Sequence, residues 1–233
     1  MMEGRTYYLV AVAGGRGTRM GAGIPKQFLE IGGKPILRLT LEKFIEAVPG
    51  IRIVTVLPED NIERWKKYCL ENAFMARQTI VCGGVTRFHS VRNAVAKIPD
   101  GAVVAIHDGV RPLLSVKMIR EMFEAMGSRR ALIPVTPSTD TLKLLRRSPE
   151  GELSEIPGQT LDRSEVFKAQ TPQMFLSEDL REMYSQPYDT AFTDDASVAA
   201  AKGIPLSWWP GERLNIKITT PEDLALAEAI RKL

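Results

Sequence analysis

Short apolar runs alternate along the first half of the chain with stretches whose apolar positions recur every three or four residues. Tyr7–Ala13 is one such run, ending in glycines; Ile51–Leu57, Gln78–Cys82, Val103–Ile106 and Ala131–Val135 are others of strand length. Between the first two, Pro35 opens a segment whose apolar positions Ile36, Leu37, Leu41, Phe44, Ile45 and Val48 follow the helical period. Helices are predicted in the same way over Glu59–Asn72, Arg87–Lys97 and Ser115–Met126. Strands that alternate with helices predict βαβ units, an α/β fold and a mostly parallel sheet flanked by helices.

That rhythm stops over residues 136–170. Pro137, Pro149, Gly151, Pro157 and Gly158 interrupt the stretch, leaving short β-like pieces at Thr141–Leu145 and Val166–Ala169. An insertion of this length inside a compact domain favours a functional or interface role, so a projecting β-arm is predicted. The tail is regular again: a helix over Thr193–Lys202, strands at Leu206–Trp209 and Asn215–Ile218, and a closing helix from Thr220. Thr220 as cap, Pro221 at the first position and acids in the first turn mark that last start. The expectation is a single domain over residues 1–233, with no second enzyme domain after Leu233.

Composition narrows the class. With 44% hydrophobic residues and a net charge of only +3, the chain suits a globular protein and not a nucleic-acid binder. No apolar run reaches the ~20 residues of a membrane span, so no membrane partner and a cytoplasmic location are expected. The charge that exists is concentrated. Arg16, Arg19, Lys26 and Lys34 stand against Glu30 alone in the Gly-rich stretch from Gly14 to Lys34, a balance suited to an anionic ligand. Cys69 and Cys82 match no metal or redox spacing, and both are expected to be buried free thiols.

The stretch Ala13-Gly14-Gly15-Arg16-Gly17-Thr18-Arg19-Met20, continuing to Ile24-Pro25-Lys26-Gln27, carries the candidate chemistry. Glycines let backbone amides approach phosphate oxygens and form an anion-binding nest. A dinucleotide fingerprint would need glycine where Met20 stands, which argues against an NAD(P) oxidoreductase. A P-loop would need Gly-Lys-Ser/Thr, but Lys26 follows a proline.

Further motifs follow in order: Gly83-Gly84-x-x-Arg87-x-x-Ser90, His107-Asp108-x-x-Arg111-Pro112, Asp140-Thr141-x-Lys143, Arg163 with Gln170-Thr171-Pro172-Gln173, Thr193-Asp194-Asp195-Ala196-Ser197, and Asn215-Ile216-Lys217. The ordered set resembles the 2-C-methyl-D-erythritol 4-phosphate cytidylyltransferases over nearly the whole chain. The resemblance implies a Rossmann-like mixed sheet and a homodimer whose β-arms exchange contacts. It implies Ala13, Gly14, Gly15, Gly17, Arg19 and Lys26 around the CTP triphosphate, with Mg2+ bound mainly through the CTP phosphates. Gly83, Gly84 and Ser90 would take the cytosine and ribose side, with Arg111 near by. Arg163 and Lys217 would hold the phosphate of methylerythritol phosphate, helped by Thr141, Thr171 and Thr193, and Asp108 would contact substrate hydroxyls. Thr141 and Arg163 would serve the partner's site. The chain departs from the family at Gly109-Val110, where two alanines are common, and at Gly14, where many members have alanine.

The chemistry fits these residues. A phosphate monoester is already largely ionised near neutral pH, with a second pKa of about 6, so it can attack without a general base. What it needs is alignment with a second polyanion and neutralisation of growing charge. Arg19, Lys26, Arg163 and Lys217 supply cations for both tasks. Other readings stay open: transfer to another polyol phosphate such as ribitol 5-phosphate, or a CTP-sensing module without turnover. His107 reads as a hydrogen-bonded strand-end residue rather than a metal ligand. At least one of Asp194 and Asp195 reads as a helix cap. Asp108 is either a substrate contact or half of a local Asp-x-x-Arg ion pair.

Overall fold

A computed structural model describes residues 5–15, 24–158 and 161–232. Strand β1 (Thr6–Val12) is followed by a 3-10 turn at Lys26–Phe28 and a small hairpin of β2 (Glu30–Ile31) and β3 (Lys34–Pro35). Then come α1 (Ile36–Ala47), β4 (Arg52–Leu57), α2 (Glu59–Glu71), β5 (Gln78–Cys82), α3 (Arg87–Val95), β6 (Ala102–Asp108), α4 (Val116–Ala125) and β7 (Ala131–Pro137). β1 pairs in parallel with β4 and β6, and β4 with β5, which gives the predicted βαβ half-sheet β5-β4-β1-β6.

Alternation along the central strands explains the two-layer packing. Leu9 and Ala11 of β1, with Val103 and Ala105 of β6, face a core shared with Leu37 and Phe44 of α1, Trp65 of α2 and Phe123 of α4. Tyr8 and Val10, with Val104 and Ile106, face the opposite core, which holds Phe88 of α3.

Beyond β7 the chain leaves the sheet. A hairpin of β8 (Leu145–Arg147) and β9 (Leu153–Glu155) forms a separate two-stranded sheet, and β10 (Phe167–Ala169) returns antiparallel to β7. The expected β-piece at Thr141–Leu145 therefore begins later than predicted. It starts at Leu145, where the chain can pair with Leu153–Glu155 around the turn at Gly151.

Several elements were not predicted, among them the β2–β3 hairpin, β9, β11 (Gln173–Leu176) and α5 (Ser177–Tyr184). β11 inserts antiparallel between β6 and β7, with Gln173 opposite Ile106 and Met174 opposite Leu132. This makes the sheet mixed. Then α6 (Asp195–Ala201) packs with α5, β12 (Ser207–Pro210) runs parallel to β7, and α7 (Pro221–Ile230) closes the described chain. Asp194 caps α6, and Thr220 with Asp223 forms the capping box of α7.

The strand expected at Asn215–Ile218 is absent; those residues pair in no ladder. Their amides find carbonyls outside the sheet instead, that of Asn215 at Glu212 (3.1 Å), of Ile216 at Leu214 (2.7 Å) and of Ile218 at Val110 (3.0 Å), while Arg111 Nη1 donates to the Asn215 carbonyl at 2.7 Å and Asn215 Nδ2 to the Thr171 carbonyl at 2.7 Å. Cys82 is likewise a correction, since it is exposed; it ends edge strand β5 on the face opposite buried Val81. Of the tandem tryptophans, Trp208 is 59% exposed while Trp209 packs on the core, as period-two alternation requires.

Candidate active site

The carboxyl ends of β1, β5 and β6 surround a cavity of about 650 Å³. In open α/β sheets this edge is where ligands lie, because the loops there diverge from the strands. The divergence begins at three points. The Ala13 amide donates to Val56 O at 2.9 Å, that of Gly83 to Leu57 O at 2.8 Å, and that of Gly109 to Val12 O at 2.9 Å; beyond them the ladders stop.

Ala13, Gly14 and Gly15 form one wall, and Gln27 returns to it by donating Nε2 to the Ala13 carbonyl at 3.1 Å. That contact places the 3-10 turn, so that Lys26 also lines the cavity. Gly84 and Ser90 form the facing wall. The Ser90 hydroxyl accepts from the Gly84 amide at 3.0 Å and donates to the Thr86 carbonyl at 2.9 Å. A Cβ on Gly84 would lie 2.4 Å from His89 Cβ, so the loop can close over α3 only without a side chain there. Gly83 sits behind, where an added Cβ would come within 3.2 Å of Ser90 Oγ.

Asp108 ends β6 on the cavity floor with its side chain 8% exposed. Arg111 Nε donates to it at 3.0 Å, Lys217 Nζ lies at 3.2 Å, and Arg87 Nε stands 3.8 Å away. Burial alone would push this carboxyl up. Arg87, Lys217 and Arg111 outweigh burial and hold it well below the usual carboxylate range. The local ion pair of the Asp-x-x-Arg turn is present, and the same carboxylate lines the cavity.

His107 is fully buried behind this floor. Thr171 Oγ1 accepts from the Asp108 amide at 3.2 Å and lies 2.9 Å from His107 Nδ1, while His107 Nε2 lies 3.2 Å from the Arg111 carbonyl. A carbonyl can only accept, so Nε2 carries the proton and Nδ1 accepts from the threonine. Burial pushes the imidazole down to about 4, which keeps it neutral. The ring thus fastens the loop that carries Arg111.

The predicted residues separate into groups. Ala13, Gly14, Gly15, Lys26, Gly84, Ser90, Asp108 and Lys217 meet on the cavity. Arg111 opens with Lys217 onto an adjoining cleft of about 910 Å³. Thr171 supports the floor from behind, 5% exposed. Thr193 is exposed beside the α6 cap, its amide donating to Ser197 Oγ at 3.0 Å. Thr141 lines a separate hollow of the arm, and Arg163 lies on an exposed 3-10 turn at the arm's base; neither lines the cavity. Gly17 and Arg19 lie outside the described residues. Gln27 and Arg87 were not among the predicted site residues. Arg87 had a sequence signal, three residues before Ser90 within the same motif.

A floor of paired charges, a wall of backbone amides and lysines on two sides equip the cavity to hold a nucleotide's phosphates while a second anion approaches past Lys217. Transfer between two such anions is the work of the α/β nucleotidyltransferases, and the comparisons with known proteins agree. Residues 7–232 match the family described as IspD: 2-C-methyl-D-erythritol 4-phosphate cytidylyltransferase, and the chain belongs to that family. The enzyme of that name from Porphyromonas gingivalis W83 is 44% identical over 230 residues, covering 98% of this chain and 99% of the relative. The one from Bacteroides thetaiotaomicron is 41% identical over 222 residues, covering 95% and 98%. Among solved structures, the 4-diphosphocytidyl-2C-methyl-D-erythritol synthase of Anaerococcus prevotii superposes with a TM-score of 0.79 at 26% identity, covering 99% and 98% of the two chains.

Proposed function

We infer that this chain transfers the cytidylyl group of CTP to 2-C-methyl-D-erythritol 4-phosphate, yielding 4-diphosphocytidyl-2-C-methyl-D-erythritol and pyrophosphate in isoprenoid precursor synthesis. The observation that carries this reading is the single cavity onto which Lys26 and Lys217 both open, with Asp108 ionised between Lys217 and two arginines. An acceptor phosphate oxygen attacks the α-phosphorus, the bond to the bridging oxygen breaks, and pyrophosphate departs. Lys26, with Arg19, neutralises charge that grows on the α-phosphoryl and leaving oxygens. Lys217 and Arg163 receive the acceptor phosphate and align it; arginine offers a planar two-oxygen grip and lysine a mobile point charge. The amides of Gly14 and Gly15, with Ala13 behind them, cradle the triphosphate, and Gly83, Gly84 and Ser90 frame the base.

Asp108 is the carboxylate on the described lining, and three cations already engage it. No group of three potential metal ligands occurs among the described residues. Mg2+ would be held mainly through the nucleotide's phosphates, beside Lys26, and would supply neutralisation of the triphosphate. The same reading makes the protein a homodimer in which each arm brings Thr141 and Arg163 to the partner's cavity. Exposed Leu145, Leu153 and Phe167, at 42%, 57% and 53%, support it, since such surface on an arm suits cover by a second copy. No helix among the described residues is long and apolar enough to cross a membrane, and a cytoplasmic location is proposed.

The test follows pyrophosphate release from Mg2+, CTP and methylerythritol phosphate, with ribitol 5-phosphate and other nucleoside triphosphates in parallel. Release with CTP and methylerythritol phosphate alone is expected. Release with ribitol phosphate in its place would change the acceptor, and CTP binding without any release would point to a sensor.

A further inference from the structure

Behind the cavity lies a buried charge that no step of the transfer uses directly. Asp195, the first residue of α6, has a carboxylate with no exposed surface. Arg87 Nη1 and Nη2 donate to its two oxygens at 2.8 and 2.6 Å, and the Tyr184 hydroxyl donates to Oδ1 at 2.5 Å. Tyr184 is 2% exposed, and burial, reinforced by Asp195, pushes its phenol well up, so the hydroxyl remains a donor.

A two-point grip fixes the plane of a guanidinium as well as its position. With both Nη atoms taken by Asp195, the Nε edge of Arg87 is the part that stands 3.8 Å from Asp108. Asp108 in turn faces Arg111 and Lys217. Charges therefore alternate in sign across the floor, from Asp195 through Arg87 and Asp108 to Lys217. The row joins α6, α3, β6 and the segment before α7. If its purpose were only to fasten α6 to α3, apolar residues would serve as well, because a buried ion pair is a weak source of stability. What the pair adds is orientation. Asp195 is also filled by three donors, whereas its neighbour Asp194 caps the helix.

We propose that Asp195, backed by Tyr184, is a positioning residue: it orients Arg87, which sets Asp108 and through it the Lys217 ammonium that receives the acceptor's phosphate. The inference rests on the role given to Lys217 above. Without the Asp195 charge, Arg87 swings toward Asp108 or the nucleotide phosphates and displaces Lys217 from its carboxylate. The acceptor then loses its holding group while CTP does not.

Wild-type turnover with CTP and methylerythritol phosphate is measured first; its absence would overturn the functional reading and this inference with it. Every other outcome bears on Asp195. Asp195→Asn is expected to raise the acceptor KM roughly tenfold or more, with CTP affinity by calorimetry unchanged within about threefold or tighter. Tyr184→Phe should raise the acceptor KM by about two- to fivefold, the scale of one lost hydrogen bond. In a Lys217→Ala background both increments should vanish, because residues acting through one another are not additive. Equal weakening of CTP and acceptor, a wild-type acceptor KM in folded Asp195→Asn, or full persistence of the effect without Lys217 would each overturn the proposal. If Asp195→Asn does not fold, Tyr184→Phe decides by the same three criteria.

Discussion

The cavity floor and the arm make opposite use of charge and apolar surface. On the floor, Asp108, Asp195 and His107 are buried and each has named partners, so their electrostatics are those of a low-dielectric site. On the arm, β8 and β9 are exposed at every residue, Leu145 and Leu153 included, and the Lys168–Asp140 pair is a loose 3.8 Å contact between exposed side chains. The floor's charges find their partners within one chain, whereas the proposed function makes the arm half of an interface. Chemistry that depends on preorganised charge belongs on the floor. Thr141 and Arg163 on the arm line no part of the cavity in their own chain, and under the proposed function they serve the cavity of a second copy.

The sharpest way to break this comparison is to damage each region separately and then mix them. Lys26→Ala should lower turnover on the order of 10²–10³-fold, as loss of a charge-stabilising group does. Near-normal steady-state turnover would remove Lys26 from the mechanism. Arg163→Ala should be impaired as well. Equal mixing of the two variants should then restore about a quarter of wild-type activity, because half the dimers are mixed and each has one intact site. No recovery, with mixed dimers demonstrated by mass spectrometry, would put Arg163 in its own chain's site.

A smaller effect tests whether the floor is as tightly built as its geometry states. His107 titrates at about 4 when folded against 6.5 when free, so the neutral ring is the form that folding favours. Its contribution is complete above pH 6.5 and is lost as pH falls through the folded value, a change of about 3 kcal/mol. His107→Gln keeps one donor and one acceptor without titrating. Urea midpoints near pH ~7 and ~4.5 should therefore differ less in the variant than in the wild type. An unchanged pH dependence would mean that His107 is not the group responsible.

Local signals decided how much of this was legible from residues alone. The start of α7 could be read from Thr220-Pro221-Glu222-Asp223, because a cap needs only adjacent residues. The walls of the cavity were legible for the same reason, since Gly84 and Ser90 lie six apart in one motif. β11 and α5 were not, because the strand runs straight into Ser177 with no glycine or proline between them. Asn215–Ile218 misled because apolar alternation does not reveal that its amides bond to the carbonyls of Glu212, Leu214 and Val110 rather than to a neighbouring strand. The partner of Arg87 lies 108 positions away at Asp195, a distance over which spacing carries no information.

The smallest expected effect sharpens the comparison from the arm's side. Leu153 lies on β9 with 57% of its surface exposed, opposite Arg147 of β8 and away from both faces of the main sheet. Leu153→Ser therefore removes little buried apolar area within one chain, and unfolding stability at high dilution should change by less than about 0.5 kcal/mol. If the arm is half of an interface, the same change should weaken self-association, and activity should fall with dilution at concentrations where the wild type holds constant. Sedimentation velocity and turnover measured over one dilution series read both quantities. Association and activity that decline together, with folding unchanged, would tie the arm to the cavity of a second copy. A variant that dissociates yet keeps full turnover would separate them, and Arg163 would have to reach the acceptor within its own chain.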